Sequence, residues 1–207
     1  MSIAAPINAA ARLLPARLIY ILCAGWVAWL FYLAATGGLG VEPINALERE
    51  YGNLSLKFLV AGLMITPLRR FAGINLIKFR RAIGVSAFFL VLAHLLVWAV
   101  LDVQNLDRIW ADIVKRPYVT VGMTGFLLLL PLAVTSNNWS ARNLGPKWRQ
   151  LHKLTYPAAV LAAVHFIWLA KGFQIEPLIW LVVICGLLAA RLRKTRRAGA
   201  RAAPSGS

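Results

Sequence analysis

Six apolar runs, joined by connectors that alternate between strongly basic and acidic or neutral, constrain this chain more than any motif in it. The runs cover residues 18–35, 54–68, 82–101, 119–134, 154–170 and 178–192. About 20 apolar residues in a helix cross the hydrocarbon core of a bilayer, and several of the runs approach that length. With 60% apolar residues among 207 and a mean hydropathy of +0.68, the chain is too apolar for a soluble globule. The expected fold class is therefore all-α, an integral membrane bundle of six transmembrane helices. The second run is the shortest. Lys57 near its start can snorkel to the interface, and Pro67 is expected to mark its end.

The formal charge of +16 would suit a nucleic-acid-binding face, but the positions of the charges exclude that reading. Taken in order, the N-terminal segment carries +2 and the five connectors −2, +5, 0, +4 and 0, with +6 in the tail. Lys/Arg-rich loops stay in the cytoplasm. Six helices with both termini cytoplasmic satisfy that rule at every connector, in an inner membrane of bacterial type. The first run follows positive charge as a signal peptide would, but it is long for one and Thr36-Gly37-Gly38-Leu39-Gly40 is a poor cleavage site. A retained anchor is expected. Residues 1–17 then form a cytoplasmic segment, 18–192 the transmembrane domain, and 193–207 a basic, disordered tail. A short surface helix is expected within the polar stretch 102–118.

An ionisable side chain inside a span is costly and marks a functional site by default. The chain has three histidines. His94 lies thirteen residues beyond Arg81 and His165 twelve beyond Lys153. At about 1.5 Å per residue, both imidazoles sit roughly 18–20 Å above the inner surface, on helices running the same way. Two level imidazoles on separate helices can clamp an iron porphyrin from both faces. Interhelical hydrogen bonding or a proton path would also account for either one alone. His152 lies at the cytoplasmic interface, and no second imidazole exists at its level to face it, so a conventional inner bis-histidine site is not expected. Cys23 and Cys185 show no metal-ligand spacing and read as small buried side chains.

Several segments carry a resemblance. They are Thr66-Pro67-Leu68-Arg69-Arg70; Arg80-Arg81-Ala82-Ile83-Gly84 leading to His94-Leu95; Lys115-Arg116-Pro117-Tyr118-Val119-Thr120-Val121-Gly122; and Leu144-Gly145 with Trp148, Leu151-His152, Leu154 and Tyr156 ahead of His165. In this order they resemble the haem-binding membrane subunits of bacterial methionine-sulfoxide reductase systems, the MsrQ/YedZ family, within the wider ferric-reductase-like transmembrane family. The resemblance implies a b-type haem with His94 and His165 as axial ligands, and His152 as a third cofactor-binding histidine. It also implies flavin mononucleotide (FMN) as a second cofactor, although no GxGxxG or other flavin motif occurs here.

The function it implies is electron transfer across the inner membrane to a periplasmic molybdopterin enzyme that reduces methionine sulfoxide in oxidised proteins. The polypeptide itself would be a non-catalytic subunit of that oxidoreductase system. The expected donors are the quinone pool or a cytosolic flavin reductase, and anionic membrane lipids are expected at the basic inner rim. Two alternatives stay open from the residues alone: a structural or assembly factor without a cofactor, in which the histidines are incidental, and a small transporter or proton channel with His94 and His165 as a relay. The absence of any Asp or Glu from the expected spans counts against the relay.

Overall fold

Every regular element in the computed structural model, which describes residues 4–170 and 174–201, is helical. In chain order the α-helices are α1 (Ala4–Leu13), α2 (Arg17–Ala35), α3 (Pro43–Phe71), α4 (Arg80–Leu96), α5 (Leu106–Lys115), α6 (Pro117–Val134), α7 (Asn138–Leu144), α8 (Pro146–Leu151), α9 (Thr155–Leu169) and α10 (Ile175–Arg201). Among the described residues, four stretches, Arg17–Ala35, Pro43–Phe71, Ile77–Val103 and Pro117–Val134, have the length and hydropathy to cross a membrane. The chain is a multi-pass membrane protein.

Two helix pairs make the body: α3 packs along α4, and α6 along α9. Phe88 of α4, Leu59 of α3, Leu129 and Leu132 of α6, and Ala158 of α9 meet where the pairs join. Lipid tails are as apolar as leucine, so close packing rather than water exclusion holds such helices together. The α9 face accordingly presents Ala158, Ala159 and Ala163, each at most 1% exposed. Ala159 and Ala163 let α9 approach Leu56, Val60 and Leu63 of α3 and Ile184 of α10. On the other side, α2 lies against α3 and α4, and the Tyr51 hydroxyl donates to the Val27 carbonyl at 2.7 Å.

The structure corrects several expected boundaries. α3 begins at Pro43, where proline suits a first helical position, and so absorbs most of the expected acidic connector. Leu47 and Tyr51 form a buried stripe that continues into Ser55, so the acidic turns are one face of an amphipathic helix. Glu48 and Glu50 therefore stand on one span-length helix and Asp102 near the end of the stretch Ile77–Val103, against the expectation of no carboxylate there. Nor does Pro67 end the helix, which runs on to Phe71. Proline removes the hydrogen bond to the carbonyl four residues back, here that of Leu63. A guanidinium nitrogen of Arg191 on α10 donates to that carbonyl at 2.6 Å, replacing the missing bond. The other terminal nitrogen of Arg191 donates to the Tyr156 hydroxyl at 3.1 Å.

Arg191→Ala is expected to cost about 2 kcal/mol by orphaning the carbonyl and to lower the thermal midpoint in detergent. Adding Pro67→Ala, which restores an N–H, should recover part of the loss. Full additivity of the two changes would refute the compensation.

Further on, α4 passes into a π-helical turn over Val97–Val103, ending at Gln104 with φ of 57°. The expected surface helix is α5, capped by the Asn105 side chain accepting from the Asp107 and Arg108 N–H groups. The basic connector before the fifth apolar run is not a loop but α7, α8 and a 3-10 turn over His152–Leu154, with Gly145 at φ 49° between the first two. α10 continues to Arg201, where the expected disordered tail had begun at 193; residues 202–207 lie outside the described residues.

Candidate functional site

His94 projects from α4 and His165 from α9, one from each helix pair, and the structure brings them together. Their ring centres are 6.3 Å apart and the ring planes meet at 79°. Each ring is held by the partner helix of its own pair. His94 Nδ1 lies 2.9 Å from the Glu48 carbonyl of α3, and His165 Nδ1 lies 2.7 Å from the Tyr118 carbonyl of α6. A carbonyl only accepts, so both Nδ1 atoms must carry the proton. In a neutral imidazole that leaves Nε2 with the lone pair.

The two anchors share one local design. Each accepting carbonyl is followed four residues later by a glycine, Gly52 after Glu48 and Gly122 after Tyr118. A Cβ on Gly52 would meet His94 Nδ1 at 3.3 Å, and one on Gly122 would meet His165 Nδ1 at 2.9 Å and Cε1 at 3.0 Å. The i+4 side chain is the one that stands over a helical carbonyl. Glycine at that position opens the carbonyl to a ring from the neighbouring helix.

Both imidazoles line a cavity of ≈ 570 Å³, within the range of small-molecule and cofactor sites. Its walls are apolar, from Leu59, Val91, Phe126, Leu129, Ala162 and Phe166. Its mouth is polar, with Glu48, Arg49, Asp102, Arg116 and Glu176. Arg116 is paired with Asp112 at 3.1 Å.

Among the described residues no three His, Cys, Asp or Glu side chains converge as a metal cage would require. Two imidazoles alone therefore suit a metal whose remaining positions are filled by a macrocycle. Two metal–nitrogen bonds of about 2 Å would set facing ring centres roughly 6 Å apart, which fits the observed separation. The apolar walls and the guanidinium groups at the mouth also fit a haem, whose carboxylate edge needs cations.

His152 does not join this site. Its Nδ1 lies 3.0 Å from the Trp148 carbonyl and its Nε2 lies 3.4 Å from the Ser136 hydroxyl. The ring stacks on Trp148 with centres 3.9 Å apart. Burial holds this histidine below the ordinary imidazole value, and the Arg80 guanidinium adds to the effect. Trp148 is itself tied down, its indole N–H donating to the Thr135 carbonyl at 2.8 Å. Of the two cysteines, Cys23 is buried and Cys185 exposed, so the expectation of burial fails for Cys185.

Residues 50–163 match the family described as ferric reductase like transmembrane component. Proteins of Brucella ovis, Brucella canis and Brucella suis, each named protein-methionine-sulfoxide reductase heme-binding subunit MsrQ, are 46% identical to the chain over 174 residues. The match covers 83% of this chain and 79% of each relative. The chain belongs to the MsrQ family of ferric-reductase-like membrane proteins. No solved structure matches it significantly. The ferric-reductase-like region takes in Gly52, His94, Tyr118, Gly122 and His152, and it ends two residues short of His165.

Sequence reasoning missed the carbonyls of Glu48 and Tyr118 and the two glycines, because it scored side chains that carry chemistry. One signal was available. Tyr118 and Gly122 fall inside a segment that carries the family resemblance, and Glu48 and Gly52 repeat the same spacing.

Proposed function

We propose that the chain is a membrane electron-transfer subunit that holds one b-type haem between His94 and His165 and serves a methionine-sulfoxide reductase. The observation that carries this reading is the pair of anchored imidazoles, 6.3 Å apart, at the wall of an apolar cavity. A haem bound there supplies reversible one-electron chemistry at iron. The chain's own residues do the rest. The Glu48 and Tyr118 carbonyls fix the Nδ1–H tautomer and leave Nε2 with the lone pair, and such backbone acceptors raise the basicity of a ligating imidazole. Leu59, Phe126, Leu129 and Phe166 exclude water from the cavity. Arg49 and Arg116, which line the cavity, would supply cations to the carboxylate edge of that haem. The lone cysteines offer no CxxCH attachment, so the haem is non-covalent.

The partner follows from the relatives, which are named as subunits of a protein-methionine-sulfoxide reductase. The proposed acceptor is a periplasmic molybdopterin enzyme that repairs oxidised proteins, and the donor is quinol or a flavin reductase on the inner side. Six spans are proposed, with α9 and α10 as the last two and both termini cytoplasmic, so that residues 18–192 form the haem domain. The charge distribution supports this. All seven side-chain carboxylates of the chain fall on connectors or helix ends assigned to the outer face, and Glu48, Asp102 and Glu176 are among the residues that line the cavity. The mouth then opens toward the periplasm, where the acceptor docks. The proposal is confined to one haem, and no flavin motif marks these residues.

A visible absorption spectrum of the purified protein tests the reading. A Soret band with sharp reduced α and β bands, at one haem per chain, is expected. A folded but colourless protein from haem-replete cells would sink it.

A further inference from the structure

At the opposite end of the bundle, the basic residues are not spread evenly over the rim. α1 folds back onto the turn between α3 and α4 and encloses a pocket of ≈ 610 Å³ with it. A side-chain clasp holds the two together. The Asn8 amide donates to the Gly73 carbonyl at 3.0 Å, and its oxygen accepts from the Asn75 N–H at 2.7 Å. Lys78 Nζ donates to the Arg12 carbonyl at 2.9 Å. Gly73, at φ 69°, makes the reversal that presents its carbonyl to Asn8.

Arg12, Arg69 and Lys78 line this pocket together with Asn8 and Asn75. None of the three cations has a carboxylate partner among the described residues; the one ion pair there is Arg116 with Asp112. Three cations without carboxylate partners thus line one cavity, and the clasp fixes the backbone that carries them. An anion is the charge that such a lining attracts. The surroundings say which kind. Ile77 lines the pocket and is 43% exposed, Phe71 at the end of α3 is 67% exposed, and Leu13 and Leu14 at the end of α1 are 85% and 52% exposed. Apolar side chains beside an anion site match a molecule with a phosphate head and hydrocarbon tails, and a short helix with exposed leucine at its end suits an interfacial position.

We propose that the pocket between α1 and the α3–α4 turn is a binding site for the phosphate head group of an anionic phospholipid. Asn8 is the positioning residue that closes the site, and Arg12, Arg69 and Lys78 supply the charge. The site does not depend on haem. The leaflet that supplies the lipid rests on the proposed topology, but binding itself does not.

The test uses the full-length protein in phosphatidylcholine nanodiscs titrated with phosphatidylglycerol, with retained lipid counted by native mass spectrometry. Each Lys or Arg near a membrane surface contributes about fivefold to anionic-lipid affinity, so Arg12→Gln with Arg69→Gln should weaken phosphatidylglycerol retention roughly 20- to 30-fold. The pair Arg142→Gln with Lys147→Gln removes the same charge from the α7–α8 region, outside the pocket, and should weaken retention several-fold less than the pocket pair does. Asn8→Ala keeps every charge and should still weaken retention, which also decides the matter if the double variant fails to insert.

Equal losses in the pocket and control variants would overturn the site in favour of diffuse surface charge. Unchanged retention in Asn8→Ala would overturn the clasp and the built pocket with it. Displacement of phosphatidylglycerol by inorganic phosphate, but not by chloride at equal ionic strength, would show a small-anion site and overturn the lipid assignment. None of these readouts involves haem, so they are independent of the electron-transfer proposal.

Discussion

His94→Ala and His165→Ala are each expected to purify with little or none of the haem carried by the wild-type chain, while still inserting in the membrane. A protein that contributes only two ligands to a metal loses half of its direct bonds with either change, and the remaining imidazole faces a vacated ring-sized space. The helices should tolerate the loss. Each ring bonds one carbonyl of a neighbouring helix, and that carbonyl keeps its place in its own helix. The space also makes a rescue experiment possible. Free imidazole added to either variant in the presence of haem should restore a low-spin spectrum, because the carbonyl of Glu48 or Tyr118 remains to bind its N–H. His152→Ala is the contrasting case. Its ring is stacked on Trp148 and stands outside the cavity lining, so haem content and spectrum should match the wild type. Haem quantification per polypeptide checks all three variants. Wild-type haem in either of the first two would remove that histidine from the ligand set, and loss of half the haem in the third would mean a second site.

Much of this arrangement was legible in the sequence, for a simple reason. Spans are set by runs of apolar residues, and depth along a helix is counted at a fixed rise. Arg81 and Lys153 served as depth markers, and the two imidazoles counted from them do meet. That two helices would bring those rings within 6.3 Å of each other was not derivable from depth alone, since rotation about each helix axis is set by packing. Here the rotation depends on residues with little signal of their own, such as Ala158, Ala159 and Ala163 on α9, which permit close approach on one face.

The misread boundaries have a common cause. In a local window, polarity reads as loop and proline as a stop. Residues of α3 from Pro43 onward are polar on one face only, with Leu47 and Tyr51 buried on the other. The helix passes Pro67 because a side chain 124 positions away in sequence, Arg191, supplies the donor that proline lacks. No local window contains that information. The connector ahead of α9 was misjudged in the same way. Its polar side chains cap and tether short helices, as Asn137 does by accepting from the Ser140 N–H at 2.7 Å.

The second large effect is expected from a substitution that changes no ligand. Gly122→Ala should alter the spectrum and weaken haem retention roughly tenfold or more, the scale on which disturbed outer-shell partners act. Its new Cβ would stand 2.9 Å from His165 Nδ1 and 3.0 Å from Cε1, closer than such atoms come. Neither neighbour can yield cheaply. The contacted atom is the ring itself, held at 2.7 Å to the Tyr118 carbonyl, so relief requires breaking that bond or tilting the ring away from its partner.

Gly52→Ala is the internal comparison. There the Cβ would stand 3.3 Å from His94 Nδ1, a distance that a shift of a few tenths of an ångström relieves. The milder variant should keep nearly all its haem, with at most a small change in midpoint potential. The order of the two effects is what the geometry demands. Electron paramagnetic resonance of the ferric protein reads it directly, because a tilted or detached axial imidazole changes the low-spin signal or converts it to high spin. Equal spectra for Gly122→Ala and wild type would mean that the carbonyl of Tyr118 does not hold the ring, and that the shared spacing of Glu48–Gly52 and Tyr118–Gly122 carries no positional role.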